Sequence, residues 1–442
     1  MTAAVQSPVL PLLEKENVAD IAIPEGDSTY WWRTSGQDLS RMLQEAGYPD
    51  EAKRQFLNYF RDTICPTLGG KPDSNALRTA VGWDGSPFEY SFEFKESTKS
   101  AGVRFVVDLT QLRPGDKSAP LTTKTTENVI ESLSKKTPLF DDNWHRALSQ
   151  WFVYSHAPES EQKALVAAAG YQTNIIMGFD INAKILDLAP GYLPIMAKSY
   201  FPPCFVAEAK GFTRWQALSL GIRQIPDIGS HPNILLALKL IEDYVAAKPE
   251  LAGGARGLST DFVKAGKARL KIYMRYLGDD FEEVWDYYTL GGKIPDLESD
   301  KEMFRDLMTL SSPSTYTEED WKDTQVDPRR RAAFKTKPTA VYFSLSPDKP
   351  YPIPKVYFYP ARAAPNDKVI ARGLDAWLTK YNWHDGGKSV EERVESVFTH
   401  RKLEENPGIF TFIGLGRKED STKKGLSLQV YMTPELYVTP RF

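Results

Sequence analysis

The sequence predicts an α+β protein: a closed antiparallel β-barrel inside an outer layer of helices. Three observations carry that expectation. About nine strand-like segments fall into hairpin-sized groups separated by helical stretches. Several of those strands alternate an apolar face with a face of Arg, Lys and Tyr, so one side suits packed helices and the other an enclosed polar space. Finally, no Gly/Ser linker, charge block or low-complexity tract divides the 442 residues. A chain longer than the ~250–300 residues at which one core stops growing holds two domains or one large closed architecture, and no clean boundary marks the former.

The strand segments are 88–95 with 102–109, 174–181 with 192–201, 268–276 alone, 340–346 with 355–359, and 409–418 with 426–433. Adjacent hairpins imply antiparallel pairing, because a parallel step needs a crossover. Closing them into a barrel removes the exposed edges they would otherwise present. Among the helices, Ile234, Ala237, Leu238, Ile241 and Val245 keep one apolar face, with Ser230 as the expected cap and Pro232 in the first turn. Phe56, Leu57, Phe60 and Ile64 form a second stripe, and Val369, Ile370, Leu374, Trp377 and Leu378 a third. The polar stretch 298–337 still holds Met303, Phe304, Leu307 and Met308 at helical spacing.

Composition excludes several function classes. With 58 Asp+Glu against 55 Lys+Arg the net charge is −3, which argues against nucleic-acid binding through an overall field. Cys65 and Cys204 stand in no CxxC or His-flanked pattern, so neither a disulfide framework nor a cysteine-ligated metal is expected. His145, His156, His231, His384 and His400 show no HExxH or other ligand spacing. The N-terminus lacks the basic start and apolar run of a signal peptide, and no run approaches the ~18 apolar residues of a membrane span. A soluble cytoplasmic protein with no membrane partner is the expectation.

The polar strand faces carry the chemistry. Period two puts Arg269, Lys271, Tyr273 and Arg275 on one side, opposite Leu270, Ile272 and Met274. Lys198 shares a face with Tyr200, Lys355 with Tyr357 and Tyr359, and Gln429 with Tyr431. Solvated faces usually mix Lys, Glu, Thr and Ser, whereas tyrosine beside Arg and Lys suits an enclosed cavity. Such a lumen is electrostatically costly when empty and favourable once a polyanion enters. A diphosphate fits, since Arg offers bidentate donors and Tyr adds neutral ones. Aromatic faces would stabilise a carbocation by ~2 kcal/mol or more when desolvated. Leaving-group cations around aromatic rings describe prenyl transfer. The near-neutral net charge then reads as a positive interior offset by an acidic exterior.

From Tyr30-Trp31-Trp32 to Tyr431-Met-Thr-Pro-Glu435 the chain resembles the fungal aromatic prenyltransferases of the dimethylallyltryptophan synthase type. The segments that carry the likeness are 84–91, the Arg104 strand, 197–202, 268–273 and 354–357. The resemblance implies an ABBA prenyltransferase barrel of ten antiparallel strands ringed by helices, with residues 1–442 as one domain. It implies an enzyme moving a dimethylallyl or longer prenyl group from its diphosphate to an indole-containing acceptor, without an obligatory metal or other cofactor. It also allows a homodimer. By match to the family motifs, Glu89 orients the acceptor, with Val81 beside it. Arg104, Lys198, Arg269, Lys271, Lys355 and Lys418 bind the diphosphate, with Arg417 competing for the last role. Tyr200, Tyr273, Tyr357 and Tyr431 shield the allyl cation. Asn182 stands where tryptophan-C4 members carry Lys, with Lys184 two residues on. Phe412 and Pro202 stand where shield tyrosines are common. These departures leave acceptor and attacked atom open, and a phenolic or polycyclic, xanthone-like acceptor is the alternative.

Other readings compete. Asp279-Asp280-Phe-Glu-Glu283 resembles the acidic motif of magnesium-dependent prenyl enzymes, yet it opens a helix, where acids complement the dipole. Leu68-Gly-Gly-Lys71 and Leu290-Gly-Gly-Lys293 lack P-loop spacing and read as turns. Asp141-Asp142 reads as a helix cap. A non-catalytic carrier of an aromatic ligand would not repay burying so many cations.

Overall fold

The computed structural model describes residues 23–71, 79–95, 101–109, 119–181, 192–276, 280–313, 330, 339–383, 387–418, 425–439 and 441. The chain repeats one plan, helices followed by a β-hairpin. Helices α1 (Asp27–Trp31), α2 (Gln37–Glu45) and α3 (Asp50–Tyr59) precede β1 (Phe88–Lys95) and β2 (Gly102–Asp108). Then come α4 (Lys124–Lys136), α5 (Asn143–Phe152), α6 (Glu159–Ala169), β3 (Ile176–Ile181) and β4 (Ile195–Phe201). Next are α7 (Cys204–Lys210), α8 (Arg214–Ile222), α9 (Pro232–Ala247), β5 (Ala255–Asp261) and β6 (Leu270–Arg275). The fourth unit is α10 (Phe281–Thr289), α11 (Lys301–Ser311), β7 (Ala340–Leu345) and β8 (Ile353–Phe358). The last is α12 (Asp367–Lys380), α13 (Val390–Val397), β9 (Phe410–Arg417) and β10 (Leu426–Met432).

Each strand pairs antiparallel with its neighbours in sequence, and β10 pairs with β1, so the ten strands close a barrel. The strand expected alone at 268–276 has its hairpin partner in β5. Its sequence, Ala-Arg-Gly-Leu-Ser-Thr-Asp, lacks a run of β-branched or aromatic residues, and the ladder to β4 and β6 decides its state instead. No described helix is long and apolar enough to cross a membrane.

The outward strand faces and the inner helix faces form the core. Phe56 and Phe60 pack on outward Phe88 and Phe105, with ring centroids 5.8–6.1 Å apart, and Phe105 stacks on Phe179 at 4.7 Å. The expected stripe of α9 is buried as Ile234, Ala237, Leu238, Ile241 and Val245. Its cap position is His231 rather than Ser230, with Pro232 as the first helical residue. Leu270, Ile272 and Met274 of β6 join this core, which turns Lys271 and Tyr273 into the lumen.

Candidate active site

The lumen holds two chambers that meet at one ring of tyrosines. The lower chamber, about 530 Å³, is lined by Arg104, Lys198, Arg269, Lys271, Lys355, Arg417 and Lys418. The upper one, about 260 Å³, is lined by Val81, Trp83, Pro202, Arg256, Arg275, Tyr359, Thr411 and Phe412, among others. Glu89, Val106, Tyr200, Tyr273, Tyr357 and Tyr431 border both. Every expected site residue therefore falls on one continuous lumen. Arg417 is drawn to the barrel's end, its Nε donating to Asp300 at 2.7 Å, while Lys418 also lines the lower chamber.

The tyrosines form a connected belt. Ring centroids lie 5.8 Å apart for Tyr200–Tyr273, 6.4 Å for Tyr273–Tyr357 and 5.4 Å for Tyr357–Tyr431. Tyr342 of β7 completes it, 5.4 Å from Tyr273 and 5.5 Å from Tyr357. The same alternation could have found Tyr342, since Val341, Phe343 and Leu345 face the core. The phenols of Tyr200, Tyr357 and Tyr431 are pushed far above their ordinary pKa, chiefly by burial, and stay neutral. A neutral ring can face a carbocation, whereas a tyrosinate would capture it. Glycines make room: a Cβ on Gly178 would lie 2.7 Å from the Tyr200 ring, and one on Gly414 2.8 Å from that of Tyr357. Phe412, in a common tyrosine position, packs on Tyr359 at 4.0 Å and on Tyr357 at 6.0 Å.

Carboxylates share the lower chamber, which corrects the expectation that the acids lie outside. Glu93 Oε2 accepts from Arg104 Nη2 at 2.9 Å, and Arg104 Nε lies 3.5 Å from Asp180. Lys198 Nζ donates to Asp180 at 2.5 Å, and Arg269 Nε to Asp261 at 2.7 Å. Burial alone would raise the Asp180 pKa, but the adjacent Arg104 and Lys198 charges outweigh it and hold the carboxyl well below its usual range. Lys355 donates to Ser427 and to Gln429, both at 3.1 Å, and Tyr431 donates to Gln429 at 2.6 Å.

Glu89 stands where the chambers meet, accepting from Thr411 Oγ1 at 2.9 Å. A buried network seats that threonine. Asp367 accepts from the backbone N–H of Gly408, Ile409 and Phe410 at 3.0–3.1 Å, which fixes the start of β9. Arg401 bridges Asp367 to Glu435, whose carboxylate also holds His400 and Arg330. The motif ending at Glu435 thus acts by anchoring strands.

The decoys resolve structurally. Asp280 caps α10, accepting from Glu282 N at 2.9 Å and Glu283 N at 3.1 Å, while Glu282 pairs with Lys301 and Arg305 on the outer layer. Asp279, Asn182, Lys184 and His384 lie outside the described residues. Leu290, Gly291 and Gly292 all have positive φ and form a turn after α10. Asp141 accepts from Asn143 N at 3.0 Å as α5 begins.

A closed ten-stranded barrel thus joins a cation-lined chamber to a second one through a tyrosine belt, with a carboxylate at their junction. Residues 27–393 match the model of the tryptophan dimethylallyltransferase family, and the chain belongs to that family. It is 54% identical to the prenyltransferase phnF of Penicillium herquei, with 100% of both chains covered, which includes β9 and β10 beyond the family match. It is 25% identical to xanthone prenyltransferase B of Emericella nidulans, over 94% of this chain and 89% of that one. In fold it is similar to the NotF prenyltransferase solved with brevianamide F and DMSPP, at TM-score 0.78 and 21% identity, covering 97% and 98% of the two chains. The chain is an enzyme that transfers prenyl groups.

Proposed function

We propose that this enzyme moves a dimethylallyl or longer prenyl group from its diphosphate to an indole-containing acceptor by electrophilic aromatic substitution. The observation that carries the proposal is the meeting of two unlike chambers at one tyrosine belt, with Glu89 on the boundary. The diphosphate occupies the lower chamber and the acceptor the upper, so the allyl group lies within the tyrosines. The allylic C–O bond breaks, and its electron pair leaves with the diphosphate. Arg104, Lys198, Arg269, Lys271, Lys355 and Lys418 stabilise the charge that develops there, and such preorganised stabilisation is usually the largest catalytic contribution. The acceptor ring attacks the cation through carbon and then loses a proton. A ring N–H donating to Glu89 gains electron density, which assists the attack. Barrel walls exclude the water that would quench the cation. Because lysines and arginines supply the leaving-group charge, turnover needs no obligatory metal. Pairing of the first strand with the last supports residues 1–442 acting as one domain.

A phenolic or polycyclic acceptor is the second reading. It is favoured by relatives named for a xanthone and for 4-O-dimethylallyl-L-tyrosine, and by Arg256 and Arg275 in the upper chamber, which suit an acidic phenol oxygen. The test is incubation with dimethylallyl and geranyl diphosphate, indole and phenol panels and a chelator, read by mass spectrometry. Prenylated indole surviving chelation is the expected result. Prenylated phenols alone would move the acceptor to the second reading. Product that disappears with chelator would overturn metal independence.

A further inference from the structure

Charge alternates in sign around six consecutive strands of the barrel beside the lower chamber. Glu93 stands on β1, Arg104 on β2, Asp180 on β3, Lys198 on β4, Asp261 on β5, and Arg269 one residue before β6. Strand register builds the alternation. Arg104 is directly opposite Asp180, and Lys198 directly opposite Asp261. Three ion pairs result at 2.5–2.9 Å: Lys198–Asp180, Arg269–Asp261 and Arg104–Glu93. The other half of the wall differs, since Lys355 donates to Ser427 and Gln429, and Lys271 lies 5.7 Å from the centre of the Tyr342 ring.

A diphosphate oxygen and a carboxylate oxygen compete for the same N–H donors. Bond cleavage leaves a diphosphate one charge more negative than the ester it came from, so unopposed cations would hold the product more tightly than the donor. A carboxylate beside each cation weakens the site for both, and takes the cation back as the product departs. We propose that Glu93, Asp180 and Asp261 are built-in competitors at the diphosphate site, re-pairing with Arg104, Lys198 and Arg269 and so setting the rate of diphosphate release. This rests on the reading of the lower chamber as the donor site.

The test uses the full chain, with inorganic diphosphate as the calorimetric probe and dimethylallyl diphosphate plus an accepted acceptor for kinetics. Asp180→Asn removes the carboxylate that touches both Arg104 and Lys198. Its expected effect is about tenfold tighter diphosphate binding, equivalent to ~1.4 kcal/mol. Steady-state kcat falls, while the single-turnover rate does not. A merely structural role would weaken binding and slow the single turnover. Asp261→Asn frees Arg269 and Glu93→Gln frees Arg104, and both carry the same test if Asp180→Asn does not fold. Unchanged or weaker diphosphate affinity in the folded variants, with wild type binding normally, overturns the competitor role alone. Absence of diphosphate binding by wild type overturns the donor site and this inference together.

Discussion

Gly178→Ala tests whether the tyrosine belt acts through its position. Gly178 lies on β3 opposite Lys198, and a Cβ there would sit 2.7 Å from Cε2 and 3.2 Å from the hydroxyl of Tyr200. Carbon atoms rest at about 3.5–4.0 Å, so the ring must retreat by about 1 Å. Tyr273, with its centroid 5.8 Å away, limits the direction of that retreat. Overpacking of a filled core costs about 1–3 kcal/mol. Here the displaced ring can swing into the lumen, so the lower end of that range applies. Catalysis should suffer more, because a 1 Å misplacement of a positioned group can cost about 10²-fold in rate. The expected result is a small drop in melting temperature with a kcat loss of about 10- to 100-fold. Measuring both in a Tyr200→Ala background closes the cycle, since the glycine change should then be nearly silent. A kcat within about threefold of wild type, or an undiminished loss without the Tyr200 ring, refutes the reasoning.

Arg269→Ala removes a cation and strips buried Asp261 of this ion pair, so donor KM should rise by about 10- to 100-fold, the worth of a charge-assisted hydrogen bond. Near-wild-type kinetics would remove Arg269 from the diphosphate site. Glu89→Ala should lower kcat/KM for the acceptor, and an unchanged value would take Glu89 out of the reaction. Asp280→Ala loses a helix cap worth about 1 kcal/mol and should leave turnover and chelator response unaltered. A collapse in activity would restore the acidic run as a functional motif. His145, buried between Ser199 and Ser149, has its pKa lowered to about 4, chiefly by burial. The unfolded imidazole takes a proton below its ordinary 6.5 while the folded one does not, so this stability is present above 6.5 and lost as pH falls toward 4. The loss amounts to about 3 kcal/mol at pH 4. Melting curves across that range should flatten in His145→Gln, and an unchanged slope would count against the assignment.

Much of this was legible because strand parity and composition pointed the same way. Lys271 and Tyr273 alternate with Leu270, Ile272 and Met274, so the inward face of β6 follows from period two once the apolar face has helices to cover it. The resemblance to the family supplied roles for Glu89 and Val81 that no spacing reveals. Strand β5 escaped because Arg256, Gly257, Ser259 and Asp261 look like a loop until two neighbouring strands claim their backbone groups. Tyr342 sat on a legible face, but in Ala-Val-Tyr-Phe-Ser-Leu nearly every residue is apolar or small, which blunts the alternation.

The carboxylates were hidden for a different reason. Parity alone would turn Asp180 to the same side as Gly178 and Glu93 to the same side as Glu89, but parity within a strand does not say which residue stands opposite. That depends on register, and a slip of one residue would set Asp180 against Val103 or Phe105 instead of Arg104. Register here is imposed by the outward faces, where Val103, Phe105 and Val107 must meet Ile181, Phe179 and Met177 beneath the helices. Apolar packing on the outside therefore aligns charge on the inside. The balance between acids and bases, visible at −3 for the whole chain, is repeated across one wall of the lumen. On the proposed reading of the lower chamber, a site that must both seize a diphosphate and give it up is better served by that balance than by cations alone.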